Sequence, residues 1–233
     1  MSDPPLPWPA DHGERIDKRQ LALLVVPILL LVVASNVGNA LGPRLQDSHP
    51  LLLVALSPLI RWQLLVINKL DWWAFFPIAA FRLLIPDPFF YLLGRRYGDR
   101  AVKWAADTYG ITRRIPDLDQ GLSTPAFRRI LRPLVVIAPN NPICLLAGAA
   151  AMPVAEFWTL NVIGTIGRLL LIRLAASWLS DQISTLADFM TNNQKWFLIA
   201  SVSIVVVTVS SQLFRSKGEI AGLIELAEEL DEE

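Results

Sequence analysis

The sequence predicts an all-α membrane protein: an inverted repeat of two re-entrant hairpins, each followed by a spanning helix, with a further spanning helix at either end. Three observations carry this reading. Residues 20–43 and 196–214 are apolar runs without a single charge, and about 20 such residues cross the hydrocarbon core as a helix. The chain is 53% hydrophobic with mean hydropathy +0.44, too apolar for an ordinary soluble domain. The apolar stretches between those two runs are interrupted by proline and polar residues, at places where a clean span tolerates neither.

In order, residues 1–19 form a polar, proline-rich segment, and no small-residue site closes the apolar run that follows, so it does not read as a cleaved signal peptide. The first spanning helix covers 20–43. A core of 45–180 follows. Its stretch 50–70 is broken by Pro58, Arg61, Asn68 and Lys69, while 72–94 is long enough to span yet holds Arg82 and Asp87. The stretch 133–150 is broken by Pro139, Asn140, Asn141 and Pro142, and 154–178 spans with Arg168 and Arg173 inside it. Non-helical backbone at membrane depth is tolerated only against protein or water. This makes 50–70 and 133–150 the hairpins, and 72–94 and 154–178 the spans. Residues 195–214 form the last spanning helix, and 215–233 an acidic tail.

Orientation follows from the basic residues. Between Arg95 and Arg132 there are nine Lys or Arg against four Asp, which places this segment on the cytoplasmic side. Both termini fall on that side too, leaving 179–195 outside. Within the basic segment, Arg100 to Tyr109 suits a short helix at the interface.

The two halves echo each other. Trp72 precedes Arg82-Leu83-Leu84 by ten residues, and Trp158 precedes Arg168-Leu169-Leu170 by the same interval. Pro58 stands six positions ahead of Leu64-Leu65, as Pro139 does ahead of Leu145-Leu146. Repeats of opposite direction with interrupted helices are characteristic of transporters.

Arg82 and Arg168 each lie about ten residues into a span, which at about 1.5 Å per residue is near the bilayer centre. An arginine there costs at least ~2.5–3.5 kcal/mol unless it has a partner. Two readings stand: structural pairing or snorkelling, or an anion site where the two arginines approach one another. Asp87 is about 140° around the helix from Arg82, a poor intrahelical partner. Arg61, in the first hairpin, is judged like the other two arginines. Asn140 and Asn141 suit the capping of a broken helix end.

From Asp87 the chain reads Asp-Pro-Phe-Phe-Tyr-Leu-Leu-Gly-Arg-Arg-Tyr-Gly. This resembles the D-x-x-x-Y-x-x-G-R-x-x-G signature of the DedA family, also called VTT-domain or SNARE-associated-Golgi-like proteins, with Asp87, Tyr91, Gly94, Arg95 and Gly98 in register. A second motif of that family is matched by Ala147, Gly148, Met152, Phe157, Asn161 and Gly164. The resemblance spans roughly 45–180. It implies the re-entrant fold, a bacterial plasma membrane, and translocation of a lipid with an anionic phosphate head group, such as undecaprenyl phosphate or a phospholipid. The chain departs from the family in three ways: the first hairpin carries Arg61 and no carboxylate, the second lacks the usual arginines, and Pro86 stands where the glycine before the aspartate is usual.

The expected function is therefore a lipid transporter or flippase, with Arg61, Arg82, Asp87, Tyr91, Asn140, Asn141 and Arg168 at the substrate and Gly94, Arg95, Gly98, Gly148, Asn161 and Gly164 as structural motif positions. The alternative is a non-transporting scaffold recruiting a partner through Glu219–Glu233. An enzyme is not expected: His12 and His49 fall outside the apolar segments, Cys144 is read as packing, and no metal-ligand spacing occurs. No cofactor is expected, the segregated charge disfavours nucleic acid, and a homo-oligomer stays compatible with the sequence.

Overall fold

A computed structural model describes residues 18–108, 125–137 and 140–214. Helix and turn account for these residues, with no strand among them. The terminal segment 1–17, the tail 215–233 and Pro139 lie outside the described residues, as do His12 and Tyr109.

Helix α1 (Lys18–Ser48) carries Pro27 and Pro43 inside it, so the first helix continues about one turn beyond the expected end at 43. Helices α2 (Pro50–Leu56) and α3 (Ile60–Ile67) are separated by Ser57 and Leu59 in extended conformations flanking Pro58. The cause is local, because the residue before proline avoids the helical region. At about 1.5 Å per residue, neither helix reaches across a bilayer.

The expected single span 72–94 is divided. Helix α4 (Trp72–Leu84) ends before Ile85, and α5 (Asp87–Thr108) starts after Pro86, whose carbonyl oxygen accepts from the N–H groups of Phe89 and Phe90. A proline at the first turn of a helix loses no bond, whereas one in the interior does. Asp87 thus opens a new helix instead of lying mid-way along an old one. A kink at Gly98 (φ 47, ψ −118) then bends α5, a conformation open to glycine and costly for other residues.

Helix α6 (Pro125–Ile137) begins eight residues before the expected start at 133, running through Pro133. Helix α7 (Asn141–Ala149) is capped by Asn140, whose side-chain oxygen accepts from the Ile143 N–H at 3.2 Å. Helix α8 (Val154–Trp178) has the expected limits. Within residues 179–195, expected to lie outside, the chain forms helix α9 (Ser180–Asn192), and α10 (Gln194–Phe214) ends the described chain.

Four stretches are long and apolar enough to cross a membrane: Ala22–Ser48, Trp72–Gly98 (across the Pro86 break), Val154–Trp178 and Gln194–Ser211. Their outward side chains are apolar; Leu23, Leu171 and Val207 are each about two-thirds exposed. In water such a surface would aggregate, while in lipid it is the solvated face. The chain is an integral membrane protein.

Two buried clusters lie inside. One joins α1, α5, α6, α7 and α8 around Phe90, Tyr91, Leu145 and Phe157; the other joins α1–α4 with α8 and α9 around Trp62, Phe75 and Leu169. The α5–α7 contact in the first is the closest. A Cβ added to Gly94 would sit 1.9 Å from the Leu145 carbonyl oxygen, and one added to Gly148 would sit 1.9 Å from that of Tyr91. Small residues let helix backbones touch where lipid offers no hydrophobic drive to bring them together. Gly164 packs likewise on the Val136 carbonyl, at 2.4 Å from its missing Cβ.

Candidate functional site

Asp87 stands at the start of α5, where a carboxylate is favoured by the helix dipole, and is 3% exposed. Asn161 of α8, fully buried, donates its side-chain amide to Asp87 Oδ2 at 2.8 Å. The Cys144 thiol of α7 hydrogen-bonds the same carboxylate, and the charge of Arg168 acts on it. The carboxylate therefore ties three helices at one point. Asn161 Oδ1, on the other side of its amide, has no partner.

Along α8, Asn161, Thr165 and Arg168 are spaced four and three residues apart, which puts them on one stripe. Asn161 and Thr165 are buried and Arg168 is half-buried. Among the described residues the Arg168 guanidinium makes no hydrogen bond and no ion pair. Beside it, nothing lies within 4 Å of where a Cβ on Gly167 would be. A guanidinium without a hydrogen-bond partner therefore stands near a buried carboxylate in a spanning helix, while Gly167 lies on the outward stripe of exposed Ile163, Leu170 and Leu171.

Arg82 has a different setting. Its Nε donates to the Leu56 carbonyl at 3.2 Å, and its Nη2 donates to the Leu31 carbonyl at 3.1 Å and to Ser35 Oγ at 2.6 Å. The Leu56 carbonyl belongs to the last turn of α2, where carbonyls lack helical partners. Arg82 caps a broken helix and pins it to α1. The two arginines expected to face each other thus take different partners, and no contact brings Arg82 to Asp87 or Arg168.

The other expected residues divide in the same way. Tyr91 Oη donates to the Met152 carbonyl at 2.5 Å and accepts from Arg95 Nη1 at 2.6 Å, while its ring stacks on Phe157 at 4.4 Å. Arg95 also donates to the Met152 carbonyl at 3.2 Å. That carbonyl is presented by the turn after α7, where Ala151 (φ 50) closes the helix with bonds from Met152 N to Ala147 O and from Ala151 N to Gly148 O. The pattern is the glycine-type helix ending, made here by alanine. Tyr91 and Arg95 are held by protein groups beside the carboxylate. Arg61 is exposed and lies over the Trp62 ring at 5.2 Å. Asn140 and Asn141 form the start of α7, Asn140 as its cap.

Sequence reasoning missed Cys144 and Thr165. The spacing of Thr165 between Asn161 and Arg168 was a readable signal; nothing in one sequence pairs Cys144 with Asp87. Among the described residues no group of three or more His, Cys, Asp or Glu could hold a metal. Comparison with protein-family models, with curated proteins and with solved structures returned no match.

Proposed function

We propose that this chain is a divergent DedA-like carrier that moves a lipid with an anionic phosphate head group across the bilayer, with Arg168 receiving the head group. The observation that carries the reading is Arg168 itself: a half-buried cation within a spanning helix, lacking any hydrogen-bond partner among the described residues. A guanidinium in that setting calls for an anion, and its planar fork suits a phosphate. Asp87 tempers the charge when no lipid is bound, and Asn161 holds Asp87 in place from α8.

The helix–break–helix units α2–α3 and α6–α7 support a reading as re-entrant hairpins, since helices so short do not cross a bilayer alone. On that reading α4–α5 and α8 are the spans of an inverted repeat, and both termini face the cytoplasm. The motif positions Asp87, Tyr91, Gly94, Gly148, Asn161 and Gly164 all lie at the junction of α5 with α7, α8 and the turn between them, or of α8 with α6, which supports their reading as one constellation. The scaffold alternative depends on the tail 215–233, outside the described residues, and no contact favours it.

The test is movement of head-group-labelled phospholipid or polyprenyl phosphate in proteoliposomes. Arg168→Gln is expected to abolish movement while the protein remains inserted and monodisperse. Arg168→Lys is expected to retain part of it, because the charge survives without the bidentate geometry. Wild-type movement in the Gln variant would overturn the proposal.

A further inference from the structure

We propose that α9 is an interfacial anchor: it lies flat in the head-group layer at the Asp47 end of the bundle, with Leu186 and Phe189 dipped into zwitterionic lipid. The inference stands apart from the carrier reading above and holds whichever way the chain faces.

The orientation of α9 follows from what holds its two ends. At its start, the carbonyl oxygen of Ala176, in the last turn of α8, accepts from Asn68 Nδ2 at 3.2 Å. Lys69, the next residue, bridges Asp47 at 2.5 Å, and Asp47 in turn accepts from Thr191 Oγ1 at 2.5 Å, in the last turn of α9. One polar layer therefore ties both ends of the helix. With 13 residues, α9 is about 20 Å long, so ends held at one level lay it across the spans and not along them.

Its faces are sorted three ways. Ile183, Ala187 and Met190 pack inward on the cluster around Trp62 and Phe75. Asp181, Ser184, Thr185 and Asp188 are exposed and polar. Between these faces, about 100° round from the inward stripe, Leu186 and Phe189 are 49% and 56% exposed. A helix held in the bilayer plane with such a flank is the interfacial kind.

The neighbours of that flank say what covers it. Phe189 meets Phe197 of α10 edge-to-face at 5.7 Å, and Leu174 of α8 and Ile199 of α10 continue the exposed apolar surface along the spans. Trp73, Trp178 and Trp196 stand at the ends of α4, α8 and α10 on this side of the molecule, all largely exposed. Exposed tryptophans at span ends mark the head-group level. The charge selects the lipid: α9 carries Asp181 and Asp188 and neither Lys nor Arg, whereas helices that seek anionic lipid are basic on their polar face. The anchor also sets a depth. Arg168 is ten residues from Trp178 along α8, about 15 Å, which is half-way through a hydrocarbon core about 30 Å thick.

The test places nitroxide labels on single cysteines at Leu186, Phe189, Asp181 and Asp188, all exposed positions, in phosphatidylcholine vesicles. Native Cys144 is buried, and the signal of the unmutated protein is subtracted. Oxygen partitions into lipid and a nickel chelate stays in water, so the logarithm of their collision ratio reads depth. It is expected to be positive at Leu186→Cys and Phe189→Cys and negative at Asp181→Cys and Asp188→Cys. Negative values at all four would overturn the anchor. Replacing a third of the lipid by phosphatidylglycerol is expected to leave the values unchanged, and deeper values at Leu186→Cys and Phe189→Cys would overturn the zwitterionic assignment. Spin–spin broadening at Phe189→Cys, lost on dilution with unlabelled protein, would show a second copy on the flank instead of lipid and would overturn the proposal.

Discussion

Asn161 and Asp87 stand 74 residues apart in sequence and are joined by one buried hydrogen bond of 2.8 Å. It runs from the inner stripe of α8 to the first residue of α5, so one contact ties α8 to α5. Asn161→Leu removes a donor to a charged acceptor, worth about 1.5–3 kcal/mol. A lower unfolding temperature is expected in a thermal-shift assay, and an unchanged one would mean that the Cys144 thiol suffices to hold the carboxylate.

The two mid-span arginines are expected to behave unequally in the same assay. Arg82→Gln frees the last-turn carbonyl of Leu56 and loses Ser35, and the loss is on the order of 2 kcal/mol. Arg168→Gln removes a group that makes no hydrogen bond and acts on Asp87 only through its charge, so a smaller loss than from Arg82→Gln is expected. Equal losses from both would remove the distinction between a structural arginine and a ligand-facing one.

Ala151 invites a stabilising change. Its φ of 50 costs a non-glycine residue about 1–2 kcal/mol, and it sits where helices commonly end in glycine. Ala151→Gly is expected to raise the unfolding temperature, discounted for glycine's greater freedom when unfolded. A fall would show that the alanine methyl group packs usefully.

Topology is open to direct labelling. Cysteines introduced at Ser123, in the basic segment, and at Thr185, on the exposed side of α9, are expected to react with impermeant reagent from opposite faces. Reaction of both from one face would remove the four-span topology with both termini cytoplasmic.

What the sequence disclosed and what it withheld separate along physical lines. The limits of α8 were readable because a long, mostly apolar stretch without an internal proline, even one holding Arg168 and Arg173, has only one way to cross lipid. The break at Pro58 and the cap at Asn140 were readable because proline and asparagine act on the backbone beside them. The partners of Arg82 were not, since two of the three are backbone carbonyls and carry no residue signature. Residues 72–94 were read as one span, yet Pro86 lies between two helices, which turns Asp87 from a mid-helix residue into a first-turn one.

The meeting of Gly94 with Leu145 and of Gly148 with Tyr91 has a mechanical consequence. Two helices in backbone contact cannot slide by a fraction of a turn, because every sideways step brings a side chain into the space the glycines vacate. Helices α5 and α7 must then travel as one rigid body. Any rearrangement that exposes Arg168 first to one leaflet and then to the other has to take place around that body, at its more loosely fitted boundaries with α1 and α8. Its hinges would be the places where helicity is already interrupted: Pro86 at one end of α5, Gly98 along it and Ala151 after α7.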